Sequence, residues 1–256
     1  MFNFLSFKAA PQLLIAASLL GLLVAAPAQA QRKGRTTTAI NPDGSLAAAV
    51  MPARAARLLP LFGGLTPAQA TALIGQAQLK AIAASFASTE EASTFFANKG
   101  YEYLGENQPD TAAYRFNLAW LLNPQNPDAY RGLAIVSSTQ PSPDNTIGLL
   151  VRGLALAPTS SAMMSDLGAS YLLRYNQTKK KKDLQAGMDL LQRATAADPA
   201  NAPAWQQLAR GLYYQEKYAE AWTAVHKGKG LSVGSLDFEL IGDLQAKLPD
   251  PEGLFK

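Results

Sequence analysis

An aromatic residue or Met followed four positions later by a small residue recurs at Phe96/Gly100, Tyr130/Ala134, Met164/Gly168 and Trp205/Ala209. The spacings are 34, 34 and 41 residues. A fixed period of this size marks a stacked array, in which each unit buries its apolar face only against its neighbours. A closed globule with one central core does not repeat its packing residues in this way. The period therefore speaks to the scaffold and its exposed face more than to any particular ligand.

Within the first unit Gly100 is followed by Tyr103, Ala112, Phe116 and Ala119, and the unit closes at Pro124. The second reads Tyr130, Leu133, Ala134, Thr146, Leu150, Gly153 and Pro158; the third reads Met164, Leu167, Gly168 and Tyr171, then Gly187, Leu191, Ala194 and Pro199. The fourth carries Trp205, Leu208, Ala209, Ala221 and Val225, with Val233 where the closing Pro would stand. Phe238 and Gly242 begin a fifth first helix, and such a half unit is what covering the apolar end of a solenoid requires. The pattern resembles the tetratricopeptide repeat (TPR). The resemblance covers residues 93–248 and implies an all-α, right-handed α-solenoid of about four helix-turn-helix units that binds other proteins. The units are 93–126, 127–160, 161–201 and 202–234, with a capping helix at 235–248 and a tail at 249–256.

The residues agree physically with that expectation. Gly100, Ala134, Gly168 and Ala209 let paired helices approach closely, while Tyr103, Phe116, Tyr130, Leu150, Tyr171, Leu191 and Trp205 fill the space between them. Ser88 with Glu91 forms a capping-box pattern. Pro127, Pro143 and Pro203 stand near helix starts, where a missing N–H costs nothing. Upstream, a helix is expected from Thr66, with Pro67 and Gln69 behind it and Leu73, Ile74, Ala77, Ile82 and Phe86 on one face. Residues 65–92 are read as an N-terminal capping helix.

The first thirty residues are of another kind. Lys8 leads into an apolar run from Leu13 to Ala26, followed by Pro27, Ala28, Gln29 and Ala30. The run is shorter than the about 20 residues that span a bilayer, and A-x-A is a cleavage signal, so 1–30 reads as a cleavable secretory signal. The competing reading is an uncleaved anchor. The expected location is the bacterial periplasm, with full secretion as the other outcome of export. The chain has no cysteine, which excludes a disulfide scaffold, a thiol nucleophile and lipidation on a terminal Cys. A formal net charge of +4, one unit of it on Lys8, is too mild for the concentrated basic footprint of a nucleic-acid protein.

Residues 31–64 mix Thr, Ala, Gly, Pro and Arg without sustained periodicity and read as a flexible leader. Its Arg54-to-Phe62 stretch is either a segment docked on the body, a disordered stretch, or a membrane-surface or partner-binding peptide. The third unit is seven residues longer than the first two, and the surplus matches Asn176 to Lys182, placed at the turn between its helices. Lys179, Lys180, Lys181 and Lys182 there form a solvated loop or a weak contact for anionic lipid or polysaccharide, each Lys near a charged surface being worth about 1 kcal/mol.

No enzyme, metal site or cofactor is expected. His226 is the single histidine and is read as a cation near a helix C-terminus. With one His and no Cys, a zinc site lacks its usual ligands, and no G-x-S-x-G elbow or glycine-rich phosphate loop in the right context is present.

In arrays resembling this one the first helix of each pair lines the concave face. The resemblance carries that face onto Asn98 and Tyr101, Arg131 and Ile135, Asp166, and Gln206, Arg210 and Tyr213. Aromatics supply area and Arg supplies bidentate hydrogen bonds, so the implied partner is a protein or peptide. The competing reading of each is an ordinary exposed side chain, and for Tyr213 with Tyr214 a cover over the terminal helix. Some family members clamp a terminal carboxylate with Lys and Asn on these helices. Ala97 and Tyr101 stand at the matching positions, so that clamp is not reproduced.

Overall fold

The computed structural model describes residues 53–255. The expected signal segment and residues 31–52 of the expected leader lie outside the described residues. Short helices α1 (Ala53–Ala56), α2 (Leu61–Gly64), α3 (Pro67–Ile74) and α4 (Gln76–Ala83) precede four hairpins. These are α5 (Thr89–Gly105) with α6 (Pro109–Leu122), α7 (Pro127–Ser137) with α8 (Asp144–Leu156), α9 (Ser161–Thr178) with α10 (Lys181–Ala197), and α11 (Ala202–Tyr214) with α12 (Tyr218–Leu231). A 3₁₀ turn at Val233–Ser235 leads to α13 (Phe238–Gln245). No strand occurs among the described residues. The molecule is an α-solenoid: each helix packs on its hairpin partner and on the next hairpin.

The two helices of each hairpin start differently. The first helices α5, α7, α9 and α11, and the terminal α13, are capped by the side chains of Ser88, Asn126, Ser160, Asn201 and Asp237. The second helices α6, α8, α10 and α12 have no side-chain cap. At Ser88 the box is displaced by one residue: Glu91 N–H donates to Ser88 Oγ, while Glu91 Oε2 accepts from Ala87 N–H.

In the first two hairpins close helix approach centres on Phe116. A Cβ added at Gly100 or Gly132 would run into its ring, so this fully buried side chain locks α5, α6 and α7 together. Between hairpins a polar relay runs twice: Ser93 Oγ donates to Ala119 O at 2.7 Å and accepts from Asn126 at 2.8 Å. Ser161 Oγ donates to Ala194 O at 2.9 Å and accepts from Asn201 at 2.8 Å.

Three expectations change. The helix expected from Thr66 has its full capping box, but it breaks at Gly75, whose φ of 96° is left-handed, into α3 and α4. The leader is not loose throughout: Phe62 is buried against Trp120, and fully buried Asn117 donates to Arg57 O at 3.0 Å and Leu59 O at 2.8 Å. Finally, the surplus of the third unit is not a loop. Seven residues make about two helical turns, and α9 and α10 take them up as length, at 18 and 17 residues against 11 and 13 in α7 and α8. The turn shrinks to Lys179 and Lys180, with Lys179 left-handed at φ 55°, and Lys181 and Lys182 open α10.

Candidate functional site

The sequence-predicted groove residues divide into a connected set, an isolated pair and two outliers. On α5, Tyr101 packs edge-on against Phe116 at 5.0 Å and its hydroxyl donates to Asp128 O at 3.4 Å. Burial pushes its phenol up to about 12, against a smaller downward pull from Arg131. On α7, Arg131 Nε donates to Asp166 Oδ2 of α9 at 2.7 Å. Burial works against the Arg131 charge, but Asp166 outweighs it and holds the guanidinium above its ordinary value.

Beside this ion pair lies a pocket of about 230 Å³ between α7 and α9, floored by α8. Ala134, Ile135, Leu150, Ala169 and Leu173 give it apolar walls, and Asp166 stands at its rim. Ser138, Thr146 and Ser170 complete the lining. Ser170 Oγ is satisfied by Asp166 O at 2.8 Å, whereas Thr146 Oγ1 is buried with no protein partner.

Farther along, Arg210 of α11 donates through Nε to Asp237 Oδ2 at 3.0 Å, and its Nη2 meets the same oxygen. Asp237 also caps α13, accepting from Leu240 N–H at 3.1 Å, so this pair fastens the terminal helix to the fourth hairpin. Tyr213 packs on Tyr214 at 6.1 Å and Tyr218 at 5.7 Å, and Tyr214 reaches Tyr175 at 5.4 Å. Asn98 is exposed on α5.

Gln206 is a correction: it is buried, its amide donates to Val225 O at 3.2 Å, and it fills the space left by Gly228 on α12. Trp205 turns outward in exchange, its indole N–H donating to Pro199 O at 2.9 Å with Lys227 over its ring. Sequence reasoning missed Ala169 and Leu173. The period finds the first of them: Tyr101, Ile135, Ala169 and Arg210 are spaced by 34, 34 and 41 residues.

Among the other charged groups, Arg174 and His226 make structural contacts. Arg174 of α9 holds Asp183 with two bonds of 2.8 and 3.1 Å and Asp144 with one of 2.9 Å, and these carboxylates hold its pKa above the ordinary arginine value. Lys179 to Lys182 are exposed, with Lys179 donating to Asn176 at 2.8 Å. His226 is more than a helix-end cation. Its ring, Trp222 and Phe255 stack mutually at 5.7–6.1 Å, with Nδ1 at 2.9 Å from Glu252 and Nε2 2.9 Å from Asp250 but not hydrogen-bonded to it, and the cluster holds residues 250–255 against α12.

No protein-family profile matches the chain, and no curated protein matches it in sequence. Solved structures do. PilF of Pseudomonas aeruginosa superposes with a TM-score of 0.52 at 20% identity, over 64% of this chain and 74% of that one. TTC0263, a TPR protein of Thermus thermophilus, superposes with a TM-score of 0.50 at 18% identity, over 62% of this chain and 93% of that one. At such identities the likeness speaks for the fold alone. On the strength of its helix pairs, its period and these superpositions, the chain has a TPR-like fold.

Proposed function

We propose that this protein is a non-catalytic protein–protein interaction scaffold of the bacterial cell envelope, which takes an extended peptide or a partner helix on the face formed by α5, α7, α9 and α11. The carrying observation is the apolar pocket between α7 and α9, open to that face, with Leu173 45% exposed beside it. An exposed large apolar side chain at the mouth of a concave site is what a binding surface offers. Arg131 and Arg210 serve this reading as staples between units, since both are already held by aspartates. The single histidine is packed against Trp222 and Phe255 beside Asp250 and Glu252, which supports a non-catalytic role. Residues 1–30 support export.

The test is capture from envelope extract by the tagged protein beside a Leu173→Glu variant of unchanged helicity. A partner held by the first and lost by the second supports the groove. Identical captures, or none, overturn it. Fractionation of the tagged full chain tests export, and retention in the cytoplasm overturns that part.

The exposed lysines at the tip of the α9–α10 hairpin favour a second reading, a structural or self-associating envelope protein with a surface contact through the leader and Lys179 to Lys182. Such a contact vanishes at high ionic strength, whereas apolar groove binding persists.

A further inference from the structure

Thr146 separates this pocket from a simple apolar crevice. The same register position is Ala112, Gly187 and Ala221 in the other units, so a hydroxyl occurs here alone. Helical threonines commonly turn their hydroxyl back onto a carbonyl four residues earlier. Thr178, Thr195 and Thr223 do so, to Arg174, Leu191 and Ala219. Thr146 lies in the first turn of α8, so the residue four back, Ser142, stands outside the helix, and although Thr146 lines the pocket its Oγ1 is turned in and buried without a partner. A buried hydroxyl left unpaired is costly, and a donor or acceptor delivered into the pocket removes that cost.

The rim narrows the choice of ligand. The charged side chains there are Arg131 and Asp166, and they neutralise each other at 2.7 Å. A charged ligand side chain would be buried without a counter-charge, which is strongly disfavoured. Short hydroxyl or amide side chains would leave the walls of Ile135, Leu150 and Leu173 uncovered. A volume of 230 Å³ far exceeds the about 30 Å³ share of one water. An aromatic ring ending in a hydroxyl satisfies walls and floor together.

We propose that this pocket receives a tyrosyl side chain of the bound partner, its ring against Ile135, Leu150 and Leu173 and its phenol hydroxyl on Thr146 Oγ1, which rotates about χ1 to meet it. This rests on the groove reading above and names the chemistry of its anchor.

The experiment uses p-cresol, the tyrosine side chain itself, and toluene, which lacks the hydroxyl, as probes of the intact protein. Methyl NMR of Ile135, Leu150 and Leu173 reports binding of each to the wild type, Thr146→Val and Thr146→Ser. The quantity read is the ratio of p-cresol to toluene affinity. The expected result is a ratio that falls about threefold to tenfold in Thr146→Val, the worth of one hydrogen bond, and returns in Thr146→Ser. An unchanged ratio in Thr146→Val, or no shift of these methyls by either probe, overturns the proposal. Because no partner protein is needed, that failure is distinct from failure of the groove reading, which Leu173→Glu capture decides.

Discussion

Asn201 donates to Ser161 Oγ at 2.8 Å, the same bond, at the same length, that Asn126 makes to Ser93 earlier in the array. Each serine passes the contact on to a carbonyl of the intervening second helix, and each asparagine also caps the helix it begins. One hydroxyl thus ties three helices. Ser161→Ala is expected to lower stability by about 1–3 kcal/mol, because it strands the Asn201 amide, while the Ala194 carbonyl keeps the Asp198 N–H. Urea unfolding measures it, and a loss no larger than that of an exposed Ser232→Ala control contradicts the relay.

Gly132→Ala is expected to destabilise by about 1–3 kcal/mol through overpacking against Phe116. Gly148, exposed on α8 with open space around its Cβ position, is the control, and Gly148→Ala is expected to stabilise by about 0.5–1 kcal/mol through helix propensity. A Phe116→Leu background relieves the first effect and leaves the second. Thermal melts of the single and double variants test both signs.

Asn117→Leu removes the amide that holds Arg57 and Leu59 by their carbonyls. The expected outcome is release of residues 53–62 with the array intact, read as new limited-proteolysis cleavage near Arg57. Protection equal to the wild type would show that Phe62 alone seats the segment.

Burial pushes the Asp250 carboxyl up, but N–H groups of Phe255 and Glu252, and His226, pull it below its ordinary value of 3.8. A depressed folded-state pKa contributes stability that is present above the unfolded value and lost as pH falls through the folded one. The wild type is therefore expected to exceed Asp250→Asn in stability at about pH 6, with the gap closing as pH falls below 3.8 and through the lowered folded-state value. A gap independent of pH across that window assigns the effect to packing. Trp222, whose indole N–H donates to Leu248 O at 2.9 Å, provides a fluorescence signal for the same end of the molecule.

Thr146→Val in the free protein is expected to raise stability by about 1 kcal/mol, since it replaces an unpaired buried hydroxyl with a methyl of similar shape. A gain in stability paired with a loss of phenol preference is the signature of a group kept for binding. A melting temperature below that of the wild type would place a hidden partner on Thr146.

The repeat period carries most of the fold because it records packing. Gly100 and Phe116 meet as the pattern requires, and Tyr101, Arg131, Ile135 and Asp166 come together across three first helices. The period fails where a neighbour changes the space available. Gln206 holds the register position of Arg131, yet the gap above Gly228 draws it inward and turns Trp205 out. Gly75 interrupts an amphipathic run that still reads as one helix, because a left-handed residue leaves no mark on hydrophobic spacing. The lysine run reads like a loop because charge does not distinguish a turn from the start of α10. The docking of Arg57 to Phe62 depends on Asn117, some sixty residues away, and no local pattern records so distant a partner.

The uneven capping of the hairpins has a mechanical consequence. Helices whose first turns are fastened resist fraying, while those started only by backbone geometry open at lower cost. Every first helix is fastened and every second helix is not, so thermal breathing concentrates in the outer layer and at the hairpin tips. On the groove reading proposed above, the inner layer meets a ligand already rigid, and little ordering entropy is left to be lost on binding.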